Sequence, residues 1–143
     1  MIKIIELGTK QPLKGKAGNL NRLYHDFSIV RGIIIPNEVF QEFRKQNHIS
    51  LLEKDVIKKI KEGKLEIQNL IKYLETNQYK SVIVRSSVSL EDGNHCSFSG
   101  QFDSFPNTKI EEVEERIKDC WISLVKDNIK SYIKSKKISW LVT

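Results

Sequence analysis

The sequence has little of what staples small proteins together or anchors them to membranes. Two cysteines, Cys96 and Cys120, are too few for a disulfide framework and lack metal-ligand spacing, so free thiols in a reducing compartment are expected. Prolines number three and glycines seven. No internal repeat, low-complexity tract or Pro/Ser-rich linker divides the 143 residues, and a single domain over 1–143 is expected. No apolar run approaches the roughly 18 residues of a membrane span. The opening MIKIIELG has no signal-peptide core. A membrane partner is therefore not expected, and the cytoplasm is the expected location.

What is present belongs to an ordinary soluble chain. Hydrophobic residues make up 39% and charged residues 29%, which excludes disordered and membrane classes. The formal net charge of +6 favours an anionic partner, whether nucleotide, phosphate or nucleic acid.

Short β-branched runs predict strands at Ile2 to Leu7, Gly32 to Pro36 and Ser81 to Arg85, and the closing ISWLVT looks like a fourth. Helices are predicted from about Gly18 to Phe27 and after Asn37 as N-cap. Two more pieces lie between Ser50 and Asn77, interrupted at Gly63, the first opened by a capping box at Ser50 and Glu53. A second capping box, Thr108 and Glu111, opens the clearest element. Its stripe of Ile110, Val113, Ile117, Trp121, Leu124, Ile129, Tyr132 and Ile133 keeps a helical period over about seven turns.

Two polar stretches point to anion chemistry. The run Gly15-Lys16-Ala17-Gly18-Asn19-Leu20 combines glycines, a lysine and a helix start, as phosphate cradles do, although it is neither a P-loop nor a GxGxxG motif. An ordinary basic turn would have the same composition. In SVIVRSSVSLEDGNHCSFSGQFDSF an apolar strand runs straight into Arg85. Two readings stand for that residue: a surface pair with Glu91 or Asp92, or a rigid fork for phosphate at the end of a strand. In the second, the hydroxyls of Ser86, Ser87, Ser97 and Ser99 and the backbone of Gly100 fold over the anion.

The same residues resemble a known family. VIVRSSVSLEDGNHCSFSGQFDSF is similar to VRSSA-x-x-ED followed by SFAGQ-x-x-TF in the nucleotide-binding domain of phosphoenolpyruvate synthase and pyruvate phosphate dikinase. Gly15 to Leu20 resembles that family's GGKGANL, Gly32 to Pro36 its PxGFVI, and Cys120 to Leu124 its CWASL, all in order. The resemblance implies an α/β (α+β) fold: the first half of an ATP-grasp-type nucleotide-binding domain, a small mixed sheet with flanking helices and one long C-terminal helix. It implies ATP as ligand, with Lys16 and Arg85 on its phosphates, Gly100 against the nucleotide, and Ser104 keeping a hydroxyl where the family has threonine.

Magnesium is expected from the missing second half of that domain, and no catalytic or metal-ligating residue is assigned here. His25, His48 and His95 are isolated and lack the phosphocarrier setting. The chain is thus expected to be a fragment of a phosphoenolpyruvate synthase-like phosphotransferase, inactive alone. Pyruvate or another phosphate acceptor would be met through missing domains, which the chain would contact. A rifampin phosphotransferase, a glucan water dikinase and a non-catalytic nucleotide-sensing half-domain stay open as alternatives. Nucleic acid is not an expected partner, because Lys54, Lys58, Lys59, Lys61 and Lys64 interleave with Ile57, Ile60 and Leu65 as the solvated face of a helix.

Overall fold

The computed structural model describes residues 2–6, 32–88, 104–126 and 138–143. The helix expected near Gly18 to Phe27 and the end of the long helix beyond Lys126 lie outside them. The described strands are β1 (Ile5–Glu6), β2 (Ile33–Pro36), β3 (Ser81–Val88), β4 (Ser104–Lys109) and β5 (Ile138–Val142). The helices are α1 (Asn37–Gln46), α2 (Val56–Glu62), α3 (Gln68–Thr76) and α4 (Val113–Lys126), the last preceded by a 3-10 turn at Ile110–Glu112.

The strands form one sheet in the order β1-β2-β5-β3-β4. The small sheet is as expected, and among the described residues its pairings are all antiparallel rather than mixed. β5 runs between β2 and β3, so the apolar ISWLVT pairs on both sides and completes the centre of the sheet. Thr143 extends the ladder by exchanging backbone hydrogen bonds with Ile83 at 2.8 and 3.0 Å.

Alternation along the strands gives the sheet two faces. Ile33, Ile35, Val82, Val84, Trp140 and Val142 share one buried core with Phe40 and Phe43 of α1, Ile60 of α2, Leu70 and Leu74 of α3 and Ile117, Trp121 and Leu124 of α4. Its centre is aromatic: Trp121 stacks on Phe40 with centroids 4.7 Å apart, and Trp140 meets both rings edge-on at 5.9 Å. Such pairs add to area burial because their edges and faces carry opposite partial charge.

Three predicted helix starts give way to other local structure. β2 pairs up to Pro36, which becomes the residue before α1, and Asn37 is the first helical residue rather than the cap. Ser50 accepts from the Leu52 N–H in a turn, and α2 begins only at Val56. Thr108 lies inside β4, where its hydroxyl donates to the Phe105 carbonyl at 2.8 Å. Local side-chain bonds compete with capping wherever the chain is held in another element.

Lys118 of α4 shows how the helices are joined. Nearly buried, it donates to the carbonyls of Gly63 at 2.6 Å and Lys61 at 3.3 Å, closing the C-terminus of α2. Gly63 has room only for hydrogen, since a Cβ there would lie 2.5 Å from the Phe43 ring. Lys118→Met is expected to cost about 1–3 kcal/mol, because two carbonyls lose a charged donor. A urea melt with unchanged slope and lowered midpoint would register it.

Gly32 marks a second close approach. A Cβ there would fall 2.7 Å from the Val142 carbonyl oxygen, which is backbone and cannot step aside. Gly32→Ala is therefore expected to cost about 1–3 kcal/mol through overpacking between β2 and β5. Comparing denaturant midpoints with those of the parent chain checks it.

Candidate functional site

The face of the sheet turned away from the described helices carries the candidate site. Register places Ile5 opposite Ile34, Ile34 opposite Leu141, Leu141 opposite Arg85 and Arg85 opposite Ser104. Directly paired residues in antiparallel strands project to the same side, so these five make one row across all five strands. Ile34 and Leu141 are 1% and 0% exposed, yet neither belongs to the core on the helical face. The row is apolar for three strands and polar for two. Arg85 is half-buried and Ser104 exposed at its polar end.

A β-bulge decides that Ser104 stands there. β3 and β4 pair Val82 with Thr108 but Val84 with Phe105, so β4 carries one more residue than β3 in this interval. Pro106 and Asn107 occupy it. Pro106 has no N–H for a ladder, and Asn107 takes a left-handed conformation with φ 55°. Thr108 closes the kink through its bond to Phe105. If the same residues paired in a regular ladder from Val82 and Thr108, Phe105 would face Arg85, because a one-residue slip moves a strand's side chains to the other face. Instead Phe105 packs toward the core, with the Arg116 guanidinium 5.5 Å from its ring centroid. Arg116 in turn is held by Asp119 at 2.7 Å and Glu112 at 3.6 Å.

Arg85 itself is poorly compensated. Its Nε is buried and makes no hydrogen bond, and burial pushes the guanidinium below its ordinary pKa. Among the described residues no carboxylate pairs with it. Desolvation of a charge without a partner is costly, and a site that waits for an anion has this property. Arg85 is also not at a strand end, since β3 continues to Val88. In an antiparallel sheet no crevice forms at a common carboxyl edge, and register places Arg85 on a face of the sheet instead.

The sequence-predicted residues therefore separate. The sheet brings Arg85 and Ser104 together, while Lys16, Gly100, Glu91, Asp92, Ser97 and Ser99 lie outside the described residues. Ser86 does not join them: it pairs with Trp140, on the helical face, and is buried there. Strand alternation makes that unavoidable for the residue next to Arg85. Of the histidines, His48 is described, at the end of α1, with φ 55°. Cys120 is buried in the core. Among the described residues no three His, Cys, Asp or Glu side chains gather as metal ligands. No described helix is long and apolar enough to cross a membrane.

Comparison with known proteins shows the family. Residues 51–141 match the pyruvate phosphate dikinase AMP/ATP-binding domain. The match takes in Arg85, Gly100 and Ser104 and leaves Lys16 outside. Over 126 residues the chain is 31% identical to an uncharacterized phosphotransferase, YvkC, of Bacillus subtilis (strain 168), which covers 83% of this chain and 15% of that protein. The chain thus spans about 15% of the length of the relative it resembles.

Proposed function

Because this chain belongs to the AMP/ATP-binding domain family of pyruvate phosphate dikinase, we propose that it is the ATP-binding part of a phosphoenolpyruvate synthase-like phosphotransferase, with Arg85 and Ser104 on the nucleotide's phosphates. Lys16 and Gly100 complete the grip from the segments that flank β2 and β4. The observation that carries this reading is the polar end of the sheet row, where a guanidinium with an unpartnered Nε and no carboxylate partner among the described residues stands directly opposite a hydroxyl. A planar fork offers two parallel N–H donors to a phosphate, and the neighbouring O–H adds a third.

Division of labour follows from the chemistry of phosphoryl transfer. That reaction depends on positioning and on neutralising charge that builds on the transferred group. Arg85 and Lys16 supply fixed positive charge, Ser104 orients, and the buried Ile34 and Leu141 hold the row rigid beneath them. Magnesium has no ligand set among the described residues. In this reading residues 1–143 are the N-terminal ATP-grasp subdomain, while metal and the phosphate acceptor, pyruvate or another, are met through further domains. The small share of YvkC that the chain covers supports that assignment.

Calorimetric titration of ATP into the chain tests the proposal. Saturable binding that is lost in Arg85→Met is expected, and equal affinity in the two proteins would refute the assignment of this face.

A further inference from the structure

Away from the Arg85 face of the sheet, a cationic concavity has no part in the nucleotide reading. About 370 Å³ in volume, it is lined by Gln41, Arg44, Lys45, His48, Ile49 and Ser50, where α1 ends. We propose that Arg44, Lys45 and His48 form a second oxyanion site, one that takes a phosphate dianion or phosphomonoester.

Every charged or titratable side chain lining the concavity is a donor or can become one, and the lining holds no carboxylate. Arg44 donates Nη1 to the Gln41 Oε1 at 2.6 Å and lies 5.9 Å from the Phe40 ring centroid, so its plane is held in place. That bond uses the lining's one amide acceptor. The Arg44 Nε is buried and unpartnered, and burial depresses the guanidinium's pKa in the same direction as for Arg85. Among the described residues no carboxylate pairs with Arg44 or Lys45. Ser50 accepts from the Leu52 N–H, which leaves its own O–H to donate.

A helix C-terminus ordinarily repels anions through its free carbonyls. Here the N–H groups of Asn47, His48 and Ile49 donate to the carbonyls of Phe43, Lys45 and Arg44 at 3.0, 3.3 and 2.9 Å, so those oxygens are engaged. The left-handed His48 makes this closure possible. What remains at the surface is net positive and donor-rich. Phe40 belongs to the helical core, whereas Arg85 lies on the opposite face of the sheet, so the two sites are separate.

The test is a proton–nitrogen NMR titration of the chain with inorganic phosphate at constant ionic strength, against sodium chloride. The Arg85→Met background keeps phosphate at the sheet face from contributing, so this result is independent of the nucleotide assignment. Saturable shifts at the Arg44 Nε–H and the His48 ring are expected, weakened about tenfold by Arg44→Gln and less by Lys45→Gln. Repeating the series with glycerol phosphate separates free phosphate from phosphomonoester recognition. Shifts that rise linearly to the highest concentration, or that Arg44→Gln leaves unchanged, overturn the site. So does a glutamate-rich peptide that binds at these residues while phosphate has no effect, since the face then belongs to a protein partner.

Discussion

Replacing Arg85 by methionine is expected to weaken ATP binding by roughly a hundredfold or more while leaving the thermal midpoint unchanged or slightly raised. The two halves of that expectation come from one observation. A guanidinium whose Nε is buried without a partner contributes no internal hydrogen bond there and carries a desolvation cost. Methionine keeps much of the stem, packs beside Leu141 in the same row, and removes the charge. Two charge-assisted bonds to phosphate, at about 1.5–3 kcal/mol each, give the size of the binding loss. Calorimetry and differential scanning on the same pair of proteins read both quantities. A midpoint lowered by several degrees with ATP affinity intact would make Arg85 a structural residue, and the sheet face would lose its assignment.

Trp121→Ala is expected to be the most damaging change in the core, at about 3–5 kcal/mol. Domains of this kind are held by only about 5–15 kcal/mol, so a shift of the thermal midpoint on the order of 10 °C follows. Trp121 is fully buried and touches Phe40, Phe43 and Trp140, which tie α1, α4 and β5 together. Truncation leaves a cavity between three elements that pack against one another and cannot collapse into it cheaply. Trp121→Phe separates volume from the indole itself. The Trp121 Nε1 is buried without a partner, so losing it removes an unsatisfied donor and offsets part of the lost area. Urea melts should rank the parent first, phenylalanine close behind and alanine far below. Equal losses for the two variants would place the indole nitrogen, rather than packing, at the centre of the core.

Much of this architecture was legible in the order of residues. β2, α1, the break at Gly63, α3 and the apolar stripe through Trp121 all follow from periodicity and punctuation, because each buries a regular pattern against one core. The nucleotide family was legible from the arginine segment, whose order of residue types is far more specific than any periodicity. The helix starts were less so. Asn37, Ser50 and Thr108 are good capping residues by type, but a strand running to Pro36, a turn at Ser50 and a bulge at Phe105 claimed the backbone first. The cationic concavity at Arg44 and His48 carried no motif, since it depends on where α1 ends and on which carbonyls its closing turn engages.

Residue order alone established a single-core α/β chain, its membership among nucleotide-binding relatives, and Arg85 as the side chain to watch. It did not establish what stands beside that arginine. Whether Ser86, Phe105 or Ser104 shares its face is a question of pleat and register, both set by pairing between distant strands. β5 joins the sheet from more than fifty residues away along the chain, and one extra residue at Pro106 and Asn107 turns Phe105 inward and Ser104 toward Arg85. Side chains alternate with a period of two along a strand, so an offset of one residue, invisible in composition or motif, settles which groups meet.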